Sequence, residues 1–194
     1  MAETIKLGDI SVLVTRKAIK HVHLSVYPPD GRVTLTAPTS TRLDVARAYP
    51  PRRVTLVGLK AERTLQVWVS GDNGKWTHLC DYPIVGMSGV LGPKLKEGDM
   101  QVPEWLYRVE SLNPNSLYHL ALRVNYPNSQ DRLWGKQDGR SELGSDIMIH
   151  EKACSIGCLA MGDEAAEDLF VLAAETGVDN VSIILSPVDF YIQA

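Results

Sequence analysis

The residue types best suited to covalent chemistry in this chain are a histidine and a cysteine, eight positions apart. His150 follows an apolar, strand-like run at residues 147–149, and Cys158 follows Gly157. The thiolate is the reactive form of cysteine, and a histidine can serve as the base that generates it. Glycine at 157 allows a tight backbone turn just before the thiol. The pattern therefore indicates Cys158 as a nucleophile and His150 as its base.

Two other interpretations fit the same residues. A cysteine often acts only as a small buried hydrophobic side chain. His150, Cys154 and Cys158 also recur every four residues, a spacing that would place three zinc ligands on one face of a helix. Ser155 and Gly157 disfavour a helix there, and the second histidine of an H-E-x-x-H motif is missing. The sequence therefore predicts neither a metal site nor a cofactor.

The composition is that of an ordinary globular protein. The chain has 194 residues, of which 44% are hydrophobic and 22% charged, and its formal net charge is −3. This balance gives no reason to expect a nucleic-acid partner. Three cysteines cannot all pair within one chain, so a disulfide framework is not expected. The oligomeric state stays open.

The sequence also carries no pattern that targets it to a membrane. The first residues lack a basic region followed by a long apolar one, the pattern of a signal peptide. No run approaches the ~18 apolar residues that cross a bilayer. As written, the sequence predicts a cytoplasmic chain with no membrane span.

The first fifty residues predict a small unit of their own. Apolar and polar residues alternate at 10–14, 22–26 and 33–36, which is typical of strands, and Pro28 to Gly31 is a turn signal. Hydroxyl residues at 39–41 precede an amphipathic run that stops at Pro50, which predicts a short helix. We expect residues 1–50 to form a β-hairpin and helix (ββα) appendage, and residues 51–194 to form the main domain.

The main domain is predicted to be mainly β. One substantial helix is expected after Cys158, beginning near Asp163 and ending at Gly177. Residues 82–94 and 126–146 are expected to be loops. The predicted strands cover residues 54–57, 64–69, 76–80, 103–109, 118–124, 147–149 and 181–185.

Two resemblances add to these patterns. Residues 15–20, 23–26 and 31–38 resemble the start of the YgjP-like metallopeptidase family, without its zinc motif. Residues ~53–190 resemble the YkuD-type L,D-transpeptidase catalytic domain, in its YafK-like branch. The strongest match is His150 followed by the stretch 155–163, which contains Ser155, Gly157 and Cys158. Further matching phrases lie at residues 57–63, 82–84, 88–94, 98–104, 112–116, 125–128 and 138–140.

The second resemblance implies a fold, a reaction and a set of roles. The fold would be a β-rich sandwich, and the substrate a peptidoglycan stem peptide. Cys158 would attack the carbonyl beside meso-diaminopimelate, His150 would move the protons, and the resulting thioester would be resolved by an amine. Ser155 would orient His150, and the backbone N–H groups of Gly157 and Cys158 would stabilise the oxyanion. Members of the family usually act in the periplasm or cell envelope.

Several positions leave alternatives open. Glu151 stands where the family has glycine, so it would either strain the site or hold His150 protonated through its carboxylate. Arg140 and Tyr118 are candidate substrate contacts, but a salt bridge that orders the loop is an equal prospect for Arg140. The Ser155 hydroxyl would serve equally well to satisfy the backbone of its own turn.

The expected activity is therefore a cysteine-dependent L,D-transpeptidase that acts on peptidoglycan stem peptides. One alternative is an L,D-endopeptidase or amidase, which would hydrolyse peptides linked to meso-diaminopimelate or release wall-anchored protein. The other is a catalytically degenerate domain that binds a peptide or a protein.

Overall fold

The computed structural model describes residues 2–7, 10–17, 23–27, 32–38, 51–116 and 119–190. The strands of these residues form two sheets, one of four strands and one of eight. The predicted helix at 39–49 and the candidate contact Tyr118 lie outside the described residues.

The four-stranded sheet is built from the first part of the chain. Its strands are β1 (Ala2–Leu7), β2 (Ile10–Lys17), β3 (His23–Tyr27) and β4 (Arg32–Pro38), in the order β1-β2-β4-β3. β2 and β4 run parallel, and the other two pairs are antiparallel. The sequence predicted the last three strands but missed β1, so this region holds a four-stranded mixed sheet and not a simple hairpin.

The eight-stranded sheet carries the rest of the β structure, in the order β11-β10-β9-β8-β12-β5-β6-β7. Two of its pairs, β10 with β11 and β12 with β5, are parallel. The strands are β5 (Arg53–Leu59), β6 (Thr64–Ser70), β7 (Trp76–Pro83), β8 (Trp105–Ser116), β9 (His119–Val124), β10 (Met148–His150), β11 (Leu159–Ala160) and β12 (Val181–Ser186).

Two α-helices accompany these sheets in the described residues. Helix α1 (Ser129–Gln137) is capped by Asn128, whose side chain accepts from the backbone N–H groups of Gln130 and Asp131. Helix α2 (Asp163–Thr176) starts with two acidic residues and ends at Gly177, as expected. Nearly all of α2 is buried, with Phe170 among the largest fully buried side chains. The predominantly β fold with a substantial helix after Cys158 is thus confirmed.

Two parts of the main domain differ from expectation. Residues 126–146 were expected to be a loop, but they contain α1, whose capping box at Asn128 and Asp131 supplies the missing start signal. β8 continues to Ser116, through the Asn113-Pro114 turn signal, because Leu112 and Asn113 still pair with β9. Tertiary pairing outweighs the local turn preference there.

A long segment without regular structure connects β7 to β8 and lies against the sheet edge. We call it the 84–104 segment. Gly86 forms an antiparallel bridge with Ala160 of β11. A side chain at Gly86 would meet the Ala153 carbonyl oxygen at 1.9 Å, so only glycine permits this approach. The segment therefore extends the sheet next to Cys158.

A buried lysine holds the other end of the 84–104 segment. Lys60, which follows β5 directly, forms an ion pair of 2.8 Å with Glu104. Its ammonium also donates to the carbonyl oxygens of Gly92 (2.7 Å) and Val102 (2.9 Å). Only 1% of the Lys60 side chain is exposed, so these partners replace water almost completely.

Replacing Lys60 with methionine should destabilise the protein substantially. The Lys60→Met change keeps most of the side-chain volume but leaves Glu104 and two carbonyl groups without their cation, which should cost about 3 to 5 kcal/mol. Urea unfolding measures the change. Lys75→Met, at an exposed turn position, is the matched control and should stay within about 0.5 kcal/mol of wild type. Equal effects of the two changes would contradict this role for Lys60.

Candidate active site

The pairing of β10 with β11 brings the chain around His150 close to the chain around Cys158. The two strands run parallel, with Ile149 opposite Leu159 and His150 opposite Ala160. Cys158 immediately precedes β11 and lies two residues before Ala160, the residue paired with His150. Both residues are buried. Cys158 directly precedes the short strand β11, and α2 begins at Asp163, five residues after the thiol.

The His150 ring is oriented by the backbone that follows it. Its Nδ1 atom makes a short contact with the carbonyl oxygen of Glu151. A carbonyl can only accept, so Nδ1 carries the proton and Nε2 of the neutral ring is the basic nitrogen. Burial lowers the pKa of His150, and the hydrogen bond to Glu151 opposes this only in part. The imidazole is therefore a neutral base at neutral pH.

The Cys158 thiol is held as a thiol. Its Sγ atom donates to the carbonyl oxygen of Asp146 at 3.5 Å. Burial raises the pKa of the Cys158 thiol, and the nearby Asp146 carboxylate raises it further. A backbone hydrogen bond from Met148 and the charge of Lys94 lower the pKa, but the net shift is upward. The pair is thus a thiol beside a neutral imidazole, and a general base must remove the proton.

Glu151 does not play either part considered for it from sequence. Its backbone is not left-handed; the neighbouring Lys152 has that conformation, with φ of 65°. The strain argument for glutamate at 151 is therefore wrong. The pKa of His150 is lowered, so the Glu151 carboxylate does not hold the ring protonated. The contact that Glu151 makes with the ring comes from its backbone carbonyl.

Ser155 closes the turn that presents Cys158. The Ser155 Oγ atom accepts from the Cys158 N–H at 3.0 Å and donates to the Cys158 carbonyl oxygen at 2.5 Å. These contacts match the interpretation of Ser155 as a hydroxyl that satisfies its own turn. Ser155 therefore closes the turn at Cys158, and its orienting role towards His150 stays a proposal.

A second serine holds the preceding amide. Gly157 has φ of 86°, and its N–H donates to the Oγ atom of Ser88 at 2.7 Å. The Ser88 hydroxyl in turn donates to the carbonyl oxygen of Met100 at 2.8 Å. Both amides expected to stabilise an oxyanion, those of Gly157 and Cys158, are thus hydrogen-bonded to serine hydroxyl groups in this structure.

The Ser88 hydroxyl and the Cys158 thiol each donate to a backbone carbonyl group of a residue with left-handed backbone. Met100 accepts from Ser88 and has φ of 58°, and Asp146 accepts from Cys158 and has φ of 57°. Left-handed backbone is uncommon for such residues and often occurs at functional sites. Next to Met100, burial opposes ionisation of Asp99, but hydrogen bonds from Lys94 and from backbone amides lower the pKa of Asp99 to about 2. Its carboxylate therefore fixes this bend at neutral pH.

The remaining candidates from the sequence lie apart from the thiol contacts. Arg140 donates to the Asp138 carboxylate at 2.6 Å and to the Leu95 carbonyl oxygen at 2.9 Å. These are the contacts of a residue that orders a loop, and its role in substrate binding stays a proposal. Within the described parts of the chain, no cluster of three or more His, Cys, Asp or Glu side chains is arranged to hold a metal. No helix there is long and apolar enough to span a membrane.

Sequence patterns alone do not single out Ser88, Met100, Asp146 or Lys60 as parts of one site. Ser88 and Lys60 stand within phrases that carry the family resemblance, and Ser88 lies in the run 82–94 that is expected to be a loop. The glycine-rich run around Ser88 was a usable signal, because glycines allow close backbone approach. Their meeting depends on contacts across 69 residues for Ser88 and Gly157 and 42 residues for Lys60 and Val102.

Comparison with known proteins gives matches in sequence and in fold. No family model matches the chain. It is 39% identical over 114 residues to the curated protein named "Putative L,D-transpeptidase YafK" from Escherichia coli K12, and equally to that of strain O157:H7. The match covers 57% of this chain and 43% of each relative, so the chain spans less than half the length of the curated relatives it matches.

A solved structure has the same fold. The crystal structure of the helical cell shape determining protein Pgp2 from Campylobacter jejuni aligns with a TM-score of 0.57 and 21% identity, over 71% of this chain and 48% of that chain. The chain thus shares its fold with this protein and is similar in sequence to the YafK proteins over the 114 matched residues.

The raised pKa of Cys158 predicts how the thiol reacts with pH. Burial disfavours the thiolate, so labelling of Cys158 by iodoacetamide should be slow at pH 7 and should rise at a pH above the ordinary range for cysteine. The exposed Cys154 is the internal control and should label first at pH 7. Peptide mapping by mass spectrometry measures both rates. A Cys158 rate that already levels off at or below pH 7 would show a preformed thiolate–imidazolium pair instead.

Proposed function

We propose that this protein is a cysteine-dependent L,D-transpeptidase acting on peptidoglycan stem peptides through a thioester acyl-enzyme. The observation that carries the proposal is the parallel pairing of β10 with β11, in which His150 lies opposite Ala160, two residues after Cys158. The sequence match to the YafK relatives and their name support this choice of reaction.

In this proposal the protons move through His150. The ring nitrogen Nε2 takes the proton of the Cys158 thiol as sulfur adds to the peptide carbonyl carbon, giving a tetrahedral oxyanion. The C–N bond then breaks, and the same proton goes to the amine of the departing D-amino acid. An acceptor amine resolves the thioester, returns its own proton through His150 and regenerates the thiol; water in place of the amine gives hydrolysis.

A specific observation supports the non-enzymatic alternative, a degenerate domain that binds peptide or protein. The pKa of the thiol is raised, and both nearby amides are occupied by serine hydroxyls. A site that never reacts could keep such an arrangement. Retention of His150 beside the thiol favours the enzyme, because a buried histidine costs desolvation that a purely structural site can avoid with an apolar residue.

The cellular location follows from the proposed substrate. The cytoplasmic location expected from the sequence finds no support in the comparisons. A wall peptide as substrate would place the enzyme in the cell envelope.

Incubation with stem-tetrapeptide muropeptides, analysed by mass spectrometry, tests the reaction. We expect wild type to release the terminal D-alanine and to form dimers or exchanged peptides. Cys158→Ala should abolish these products, and His150→Gln should slow them by roughly 10²–10⁴-fold because the general base is lost. Cys154→Ala, at an exposed cysteine of the same turn region, is the matched control and should react like wild type.

The same experiment separates the alternatives. Cysteine-dependent cleavage with incorporation of water and without dimers would identify the hydrolase. Wild-type protein that changes none of the substrates, including muropeptides linked to protein, would refute both enzymatic proposals and leave the binding domain.

A further inference from the structure

The two backbone amides expected to stabilise an oxyanion already have hydrogen-bond partners. The Gly157 N–H is bound to Ser88 Oγ at 2.7 Å, and the Cys158 N–H to Ser155 Oγ at 3.0 Å. An oxyanion needs donors that are already aimed at the position where its charge develops. The hydroxyl groups of Ser88 and Ser155, which accept from these amides, are therefore the alternative donors.

The two hydroxyls differ in where their own protons go. Ser155 donates to the carbonyl oxygen of Cys158, inside the closed turn that its oxygen also accepts from. Turning that proton away would remove one of the two hydrogen bonds that close the turn at Cys158. Ser88 donates across the site to Met100, an exposed residue of the 84–104 segment. Its proton can turn away while its oxygen keeps the bond from Gly157, because a serine hydroxyl rotates about its C–O bond.

We propose that the Ser88 hydroxyl is a catalytic residue that donates a hydrogen bond to the oxyanion formed when Cys158 attacks. This inference rests on the proposed acyl-transfer function. As the sulfur–carbon bond forms, the electron pair of the carbonyl bond moves onto the substrate oxygen. The Ser88 O–H turns from the Met100 carbonyl to this oxygen and keeps its proton throughout, so His150 alone carries protons between thiol and amine.

Hydrogen-bond strengths favour this change of acceptor. An oxyanion is a stronger acceptor than the neutral Met100 carbonyl. The hydrogen bond from the Gly157 N–H to the Ser88 oxygen polarises the hydroxyl and makes it a better donor. Gly157 adjoins the nucleophile in the chain, so this N–H ties Ser88 to the residue next to Cys158. The amide thus acts through the serine, in place of contacting the substrate directly.

The 84–104 segment gives Ser88 the fixed position that such a donor requires. On one side, Gly86 is bridged to Ala160 of β11. On the other side, Lys60 holds Gly92, Val102 and Glu104. Ser88 therefore stays beside the Gly157 turn without the reorganisation that would weaken electrostatic stabilisation.

Two reactions of the same thiol separate this role from a structural one. Acylation of Cys158 by p-nitrophenyl acetate passes through an oxyanion, whereas alkylation by iodoacetamide does not. Mass spectrometry after an acid quench follows both modifications at Cys158. Removing an oxyanion donor should slow acylation by roughly 10²–10³-fold and leave alkylation at the same pH unchanged.

Three variants make the test. Ser88→Ala should slow acylation and leave the alkylation rate unchanged. Ser88→Thr, which keeps the hydroxyl, should retain most of the wild-type acylation rate. Ser182→Ala removes an exposed hydroxyl on β12 and should leave both rates as in wild type. Ser88 is only half-buried, so the alanine variant is expected to fold, which circular dichroism checks.

Each other outcome overturns the inference in a distinct way. Equal loss of acylation and alkylation in Ser88→Ala would mean that Ser88 only supports the turn. Faster acylation would mean that the freed Gly157 N–H is the true donor. Normal acylation of wild type with an unimpaired Ser88→Ala would refute the inference alone. Wild type that is not acylated at Cys158 would refute the proposed function, and the role of Ser88 with it.

Discussion

The hydrogen bond from the Gly157 amide to the Ser88 hydroxyl joins the two chain segments that build the site. It connects the turn before Cys158 to the 84–104 segment, across 69 residues of sequence. The left-handed backbone of Gly157 aims the amide at Ser88, and a side chain there would meet the Gln101 carbonyl oxygen at 3.2 Å. The turn and the segment therefore depend on each other, because each satisfies polar groups that the other leaves buried.

Burial sets the protonation states of His150 and Cys158. The strands around His150 and Cys158 exclude water, which penalises both the imidazolium and the thiolate. Both groups are consequently neutral, and the proposed reaction would require His150 to remove the thiol proton as the sulfur attacks. This differs from cysteine sites that lower the thiol pKa with a helix N-terminus. Here Cys158 directly precedes a strand, and α2 starts five residues later.

Ion pairs and residues with left-handed backbone organise the irregular segments next to His150 and Cys158. Lys60 fixes the far end of the 84–104 segment, and Asp99 fixes the bend that precedes Met100. Met100 and Asp146 hold left-handed backbone and receive the protons of Ser88 and Cys158. Polar groups of the 84–104 segment thus have hydrogen-bond and ion-pair partners, although the segment contains no helix or strand.

The sequence by itself determined the strands of the main domain, the helix that follows Cys158 and the candidate pair His150 and Cys158. Alternating apolar residues and glycine at 177 are local signals that depend on near neighbours only. The tertiary structure alone decided that Cys158 directly precedes a strand and that Ser88 meets Gly157. It also decided that Glu151 contributes a backbone carbonyl and no charge to His150. These features depend on strand register and on burial between distant residues, which a single sequence does not encode locally.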